Sequence, residues 1–247
     1  MQDIQSTITI ITSHYQNTLK HSNSKHMLVI SPPFGNYVSL PCTLSIRGSY
    51  TLEPRDGLFQ QIVKTLRYSF EHRGWVNKIG LRNKGIDYAI SKYKANKDEN
   101  IIYSIAILEE NDIIKMNEKI PKNMPLEINV SCPNAEKKMI QEGLRQFITP
   151  HRKWCMLKLS PHVTNEEIDS YYRQGFRQFH CSNTVPCSRG GVSGVIVRPY
   201  TNKNMKYIKA KYDDCVVVAG GGVTKWNHVE EYKYNGADYV SMSTIFF

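Results

Sequence analysis

The chain is 247 residues long, 40% hydrophobic and 11% aromatic, with 32 Lys and Arg against 22 Asp and Glu and a net charge of +10. That composition excludes a disordered chain, and no apolar run reaches the roughly 18 residues that cross a bilayer, so no membrane partner is predicted. The basic residues are scattered rather than gathered on one face, which reads as a solvated lysine-rich surface and argues against nucleic acid as a partner.

The opening, Met1-Gln2-Asp3-Ile4-Gln5-Ser6, is not a basic stretch leading into an apolar one, so the chain is read as cytoplasmic. Its six cysteines, Cys42, Cys132, Cys155, Cys181, Cys187 and Cys215, include no C-x-x-C pair. They are expected to be reduced thiols, and no metal site is predicted.

Residues 1–25 are rich in polar side chains and read as a peripheral segment; residues 26–247 read as a single domain. Eight apolar segments follow in turn: 27–31, 44–50, 101–107, 126–131, 155–160, 179–182, 216–220 and 239–243. Several are continuous apolar runs, as in strands covered on both faces. Thr164-Asn165-Glu166-Glu167 predicts a capping box, with Ile168, Tyr171 and Tyr172 as the apolar stripe and Gly175 as the stop. Residues 224–235 read the same way, with Trp226, Val229 and Tyr232 on one face and Gly236 as the stop. Strand alternating with helix predicts βαβ units, and eight such strands predict a (β/α)8 barrel with its site at the strands' C-terminal ends.

Polar and glycine residues collect at those ends. Asn129-Val130-Ser131-Cys132-Pro133-Asn134 follows the strand Leu126-Glu127-Ile128. Either the amides grip a flat ligand while the sulfur moves a proton, or the segment is a polar turn with an inert thiol. Two glycine-rich turns, Gly190-Gly191-Val192-Ser193-Gly194 and Gly220-Gly221-Gly222, suit a phosphate, as do Ser243 and Thr244; tight-turn glycine is the plain alternative. Lys158 sits within an apolar strand, where it meets an electron-rich partner such as a flavin edge or else snorkels to the mouth.

Taken in order, these elements resemble the dihydroorotate dehydrogenase family. The match runs through Thr51-Leu52-Glu53-Pro54-Arg55, Asn77-Lys78-Ile79-Gly80-Leu81-Arg82-Asn83, Asn129 to Asn134, Lys158-Leu159-Ser160-Pro161, Ser182-Asn183-Thr184, Gly190 to Gly194, Gly220 to Val223 and Gly236-Ala237-Asp238. A cysteine at 132 resembles the soluble class 1 enzymes. The resemblance implies FMN across the barrel mouth, bordered by Ser31, Ser49 and Asn129, with Lys158 on its ring. It places the FMN phosphate on Gly191, Ser193, Gly194, Gly221, Gly222, Ser243 and Thr244. It implies dihydroorotate held by Asn77, Asn129, Asn134, Asn183 and Thr184, with backbone N–H groups at Gly80 and Leu81. Cys132 is implied as the base that removes the C5 proton while hydride passes from C6 to flavin N5, giving orotate. A homodimer, and an iron–sulfur flavoprotein partner if electrons pass to NAD, are implied as partners.

The chain departs from the family pattern in places. Gly48 stands where the family has a lysine, and Pro32 where it has a glycine. The loop after Asn134 is short and the barrel is expected to be compact, with shortened or missing peripheral helices. Two other readings fit these residues: a tRNA dihydrouridine synthase-like flavoenzyme, and a catalytically impaired flavin-binding or interaction module.

Overall fold

A computed structural model describes residues 28–96, 98–130 and 143–246. Its strands, in chain order, are β1 (Leu28–Ile30), β2 (Thr43–Tyr50), β3 (Arg67–Ser69), β4 (Gly74–Asn77), β5 (Ile101–Ala106), β6 (Leu126–Asn129), β7 (Cys155–Lys158), β8 (Gln178–Cys181), β9 (Val185–Cys187), β10 (Gly190–Gly194), β11 (Val216–Gly220) and β12 (Tyr239–Met242). Eight of them close a parallel barrel in the order β1-β12-β11-β8-β7-β6-β5-β2. All eight apolar segments of the sequence are its staves. The helices are α1 (Leu58–Thr65), α2 (Gly85–Ala95), α3 (Glu110–Lys119), α4 (Asn165–Arg173), α5 (Arg198–Lys211) and α6 (Trp226–Tyr234). β1 and β2 are joined through a 3-10 turn at Phe34–Asn36 and no α-helix, so the shell is thin there, as expected of a compact barrel. Residues 1–25 lie outside the described residues, as does most of the loop after β6. Among the described residues, no helix is long and apolar enough to cross a membrane.

Side chains alternate between the two faces of each strand, which sorts the core into two clusters. Val29, Leu44, Ile46, Ile102, Met156 and Val218 fill the barrel interior with Trp154. Their neighbours Ile30, Ile101, Tyr103, Ile105, Leu126, Ile128, Leu157, Phe179 and Val217 face outward into the layer shared with the helices. Burial on both faces explains the near-continuous apolar runs.

Helix α4 begins as its sequence predicts. The Glu167 N–H donates to Thr164 Oγ1 at 3.2 Å and the Thr164 N–H to Glu167 Oε2 at 2.9 Å. Ile168 and Tyr171 are buried, and Gly175 takes φ of +104° just past the end. Helix α6 differs from expectation. Its N-cap is Lys225, with no side-chain cap, and the Thr224 N–H points to His228 Nδ1 at 3.3 Å.

The largest correction is a second sheet that the sequence did not announce. β3-β4-β10-β9 form a four-stranded antiparallel sheet. It is built from the connections that follow β2 and β8, so both halves leave the C-terminal end of the barrel. Gly190–Gly194 is therefore the strand β10 and not a turn: Gly191 pairs with Asn77 on β4 and with Pro186 on β9. A Cβ at Gly191 would lie 2.3 Å from Thr184 Oγ1, so close packing demands glycine at that position. Removing the α4 cap tests the local reading: Thr164→Ala lowers stability by about 1 kcal/mol, read as an earlier urea midpoint with an unchanged slope.

Candidate active site

The inward positions of the barrel change character along their length. Apolar side chains fill the N-terminal part, and Ser104, Glu127, Asn129, Lys158, His180, Gly220 and Ser241 follow toward the C-terminal mouth. Strand register sets this polar tier: Glu127 lies beside Ser104 and Met156, Lys158 beside Asn129 and His180, and Gly220 beside Ser241. Glu127 is 0% exposed and His180 2%. Glu127 Oε2 accepts from His180 Nδ1 at 2.6 Å, and Oε1 from Ser104 Oγ at 2.8 Å. Burial opposes ionisation of Glu127, but Lys158, His180 and the two hydrogen bonds outweigh it and hold the carboxyl at about 2. Burial pushes His180 below the ordinary histidine value; Glu127 opposes that shift and Lys158 adds to it.

The chain of hydrogen bonds continues upward. Ser104 Oγ meets Ser49 Oγ at 2.8 Å, Asn129 Nδ2 donates to Ser49 Oγ at 3.4 Å, and Asn183 Nδ2 donates to Asn129 Oδ1 at 3.1 Å. The two mouth asparagines are thus oriented from the buried carboxylate upward. On the other side of the barrel, Ser31 and Ser241 share a short hydroxyl contact, and Ser243 Oγ donates to the Pro32 carbonyl at 3.2 Å.

Above this tier lies a cleft open to solvent. Eight of the residues singled out in the sequence line it: Ser31, Lys158, Asn183, Thr184, Ser193, Gly221, Ser243 and Thr244. Ser49 and Asn129 join it through their hydrogen bonds. The two glycine segments touch, since a Cβ at Gly222 would lie 2.6 Å from the Gly194 carbonyl oxygen. At Gly221, with φ of +86°, a Cβ would fall 2.4 Å from Val197 Cγ1, so a side chain there would meet both strain and collision. Asn77 pairs with Gly191 in the small sheet, and Gly80 and Leu81 lie on the loop after β4 with φ of +71° and +56°. These three stand apart from the cleft lining. Cys132 and Asn134 lie outside the described residues, two and four positions beyond Val130.

Glu127, His180, Ser104 and Ser241 escaped the sequence reading. A signal was present: Glu127 is a charged residue two positions before Asn129, hence on the same inward face. His180 stands in the same relation to Ser182. An ionisable side chain at an inward position of a barrel strand needs a partner on a neighbouring strand.

The comparisons with known proteins agree with this geometry. A family model described as Dihydroorotate dehydrogenase matches residues 42–175, more than half of the chain. The chain belongs to the dihydroorotate dehydrogenase family. A relative from Bacteroides thetaiotaomicron, named dihydroorotate dehydrogenase B (NAD(+)), catalytic subunit, is 27% identical over 202 residues, covering 69% of this chain and 66% of its own length. A protein of the same name from Staphylococcus carnosus is 28% identical over 215 residues, covering 73% and 69%. The chain thus spans just under two thirds of the length of the first of these relatives. Among solved structures, ligand-free DHODH from Eimeria tenella superposes with a TM-score of 0.64 at 17% identity, covering 90% of this chain and 78% of that one, which shows the shared fold.

The buried pair makes this family member acid-sensitive. Glu127 titrates at about 2 when folded against an ordinary 4.5, so its stabilisation is full above about 4.5 and lost as pH falls toward 2. His180 titrates below its ordinary 6.5, so its contribution is present above that value and lost on acidification below it. The denaturant midpoint should therefore hold steady above pH ~7 and fall as the pH drops below ~6.5. Glu127→Ala should cost about 1–3 kcal/mol or more at neutral pH, because it leaves the buried His180 N–H and Ser104 hydroxyl without their acceptor, and should remove the part of the acid slope that falls below about pH 4.5 while leaving the part that His180 contributes.

Proposed function

We propose that the protein is an FMN-dependent oxidoreductase that converts dihydroorotate to orotate. The observation that carries this reading is the cleft itself, where backbone and hydroxyl donors meet the inward-facing Lys158 in a chain of this family. Ser193, Gly221, Ser243 and Thr244 line the cleft, where backbone N–H groups suit a phosphate, and the missing Cβ atoms of Gly221 and Gly222 let Val197 and the Gly194 carbonyl pack behind them. Lys158 suits the electron-rich edge of an isoalloxazine ring. Bound there, FMN supplies the two-electron acceptor for hydride from C6 of the substrate.

The chain's own residues do the rest. Asn129 and Asn183, tied to each other at 3.1 Å, present amides to the carbonyl and N–H groups of a pyrimidine. Asn77, Asn134 and Thr184, with the backbone of Gly80 and Leu81, complete the substrate set. Cys132, as thiolate, takes the proton from C5, and conjugated orotate leaves. An ordinary cysteine is mostly protonated at neutral pH, so its surroundings must favour the thiolate.

The NAD-linked relatives, named as catalytic subunits, support an iron–sulfur flavoprotein as the onward carrier of electrons. A second copy of the chain is the other partner proposed. The single domain spanning residues 26–247, and a cytoplasmic location, belong to the same proposal.

One observation favours a slower enzyme. Gly48, where the family has a lysine, would place a Cβ 2.4 Å from the Ser104 carbonyl oxygen, and its φ is +126°. Neighbouring Arg47 lies on the outer face, beside the Tyr103 and Tyr50 rings. The second strand therefore brings no cation to the mouth, and the flavin-binding module with impaired turnover remains the second reading.

Purified protein should be yellow, and anaerobic dihydroorotate should bleach it. Colour without bleaching favours the impaired module; a colourless protein that takes up no FMN sinks the flavin assignment. Cys132→Ser should retain FMN and slow the bleaching by about 100-fold or more, measured by stopped-flow absorbance; an unchanged rate removes Cys132 from the base role.

A further inference from the structure

His180 is almost wholly buried, yet it belongs to the lining of the cleft. Its two ring nitrogens have different surroundings. Nδ1 lies 2.6 Å from Glu127 Oε2. An ionised carboxylate only accepts hydrogen bonds, so Nδ1 must carry the hydrogen. Nε2 makes no hydrogen bond among the described residues, and it faces the gap left by a missing side chain. A Cβ at Gly220 would sit 3.1 Å from Nε2 and 2.7 Å from Ser241 Cβ. The neighbouring cation Lys158 and the burial of the ring both work against a second proton.

We infer that Glu127 fixes His180 as the Nδ1–H tautomer, so that Nε2 is a hydrogen-bond acceptor in the floor of the cleft, directed at a hydroxyl or ring N–H of a bound flavin. The inference rests on the flavin reading above and extends it to a residue that the family resemblance did not assign. Lys158 brings an ammonium and Thr244 a hydroxyl to the cleft, which suits phosphate and carbonyl oxygens, while the Ser193 and Ser243 hydroxyls already donate to the Trp75 and Pro32 carbonyls. A ribityl chain or a ring imide also carries hydrogens that need an acceptor. Nε2 supplies one, and as a lone pair it repels a phosphate. The contact it makes is therefore independent of the phosphate group. His180 acts here as a positioning residue, and Glu127 acts through it.

Two measurements test this. Nitrogen-15 NMR of histidine-labelled protein at neutral pH should show Nδ1 protonated and Nε2 bare for His180; the opposite tautomer or an imidazolium overturns the proposal whatever the flavin does. His180→Asn keeps a donor near the Nδ1 position, so Glu127 stays paired, and it deletes Nε2. Fluorescence titration of flavin-stripped protein should show affinity falling roughly three- to tenfold, the worth of one net hydrogen bond, by the same factor for FMN and for riboflavin. Equal affinity of the variant and the parent, or a loss confined to FMN, overturns the assignment. Parent protein that binds neither flavin overturns the flavin reading and with it the ligand named here, an outcome that the NMR result keeps distinct from a wrong tautomer.

Discussion

A carboxylate with no access to water organises the mouth of this barrel. Isolated, a charge at the position of Glu127 would be expensive enough to force protonation. Three strands prevent that. β5 brings a hydroxyl level with the carboxylate, and β8 and β7 bring an imidazole and an ammonium one inward position further along. The carboxyl stays ionised, and its two oxygens become fixed points from which the polar tier is oriented. Ser104 passes the orientation to Ser49, and Ser49 to the asparagine pair. The site's amides are thus tied by hydrogen bonds to a carboxylate inside the barrel.

This arrangement divides the barrel by chemistry. Below Glu127 the interior is aliphatic and aromatic, and its stability comes from burial. Above it, strand ends give way to backbone donors and hydroxyls that suit an anionic, hydrogen-bonding ligand. The boundary falls near the C-terminal ends of the strands. That placement keeps the ionisable groups close enough to the cleft to matter and far enough from it to be sheltered.

Much of this was legible in the chain. The eight staves could be read because each is covered on both faces, which gives continuous apolar runs with polar residues at one end. The α4 capping box was legible because it is local: four consecutive residues decide it. Residues that depend on distant pairing were harder to see. Gly190–Gly194 has the composition of a loop, and only its pairing with Asn77 and Pro186 makes it a strand. Glu127 and His180 stand 53 positions apart, and neither has a motif of its own. Parity along the strand was the available clue, and it identifies a shared face without identifying the partner. Lys158, Asn183, Ser243 and Thr244 came together in one cleft as expected, because strand ends converge wherever a barrel closes.

The four-stranded sheet also sets an order of events. Its middle pair joins residues 74–77 to residues 190–194, a separation of more than a hundred positions. Until the later partner has been synthesised, β3 and β4 are a short hairpin with an open edge, an arrangement of little stability in water. Closure of the barrel itself awaits β12, which pairs with β1. The nascent chain therefore carries an unsealed ribbon until β10 emerges more than a hundred residues later, and the ring of staves is sealed only after that.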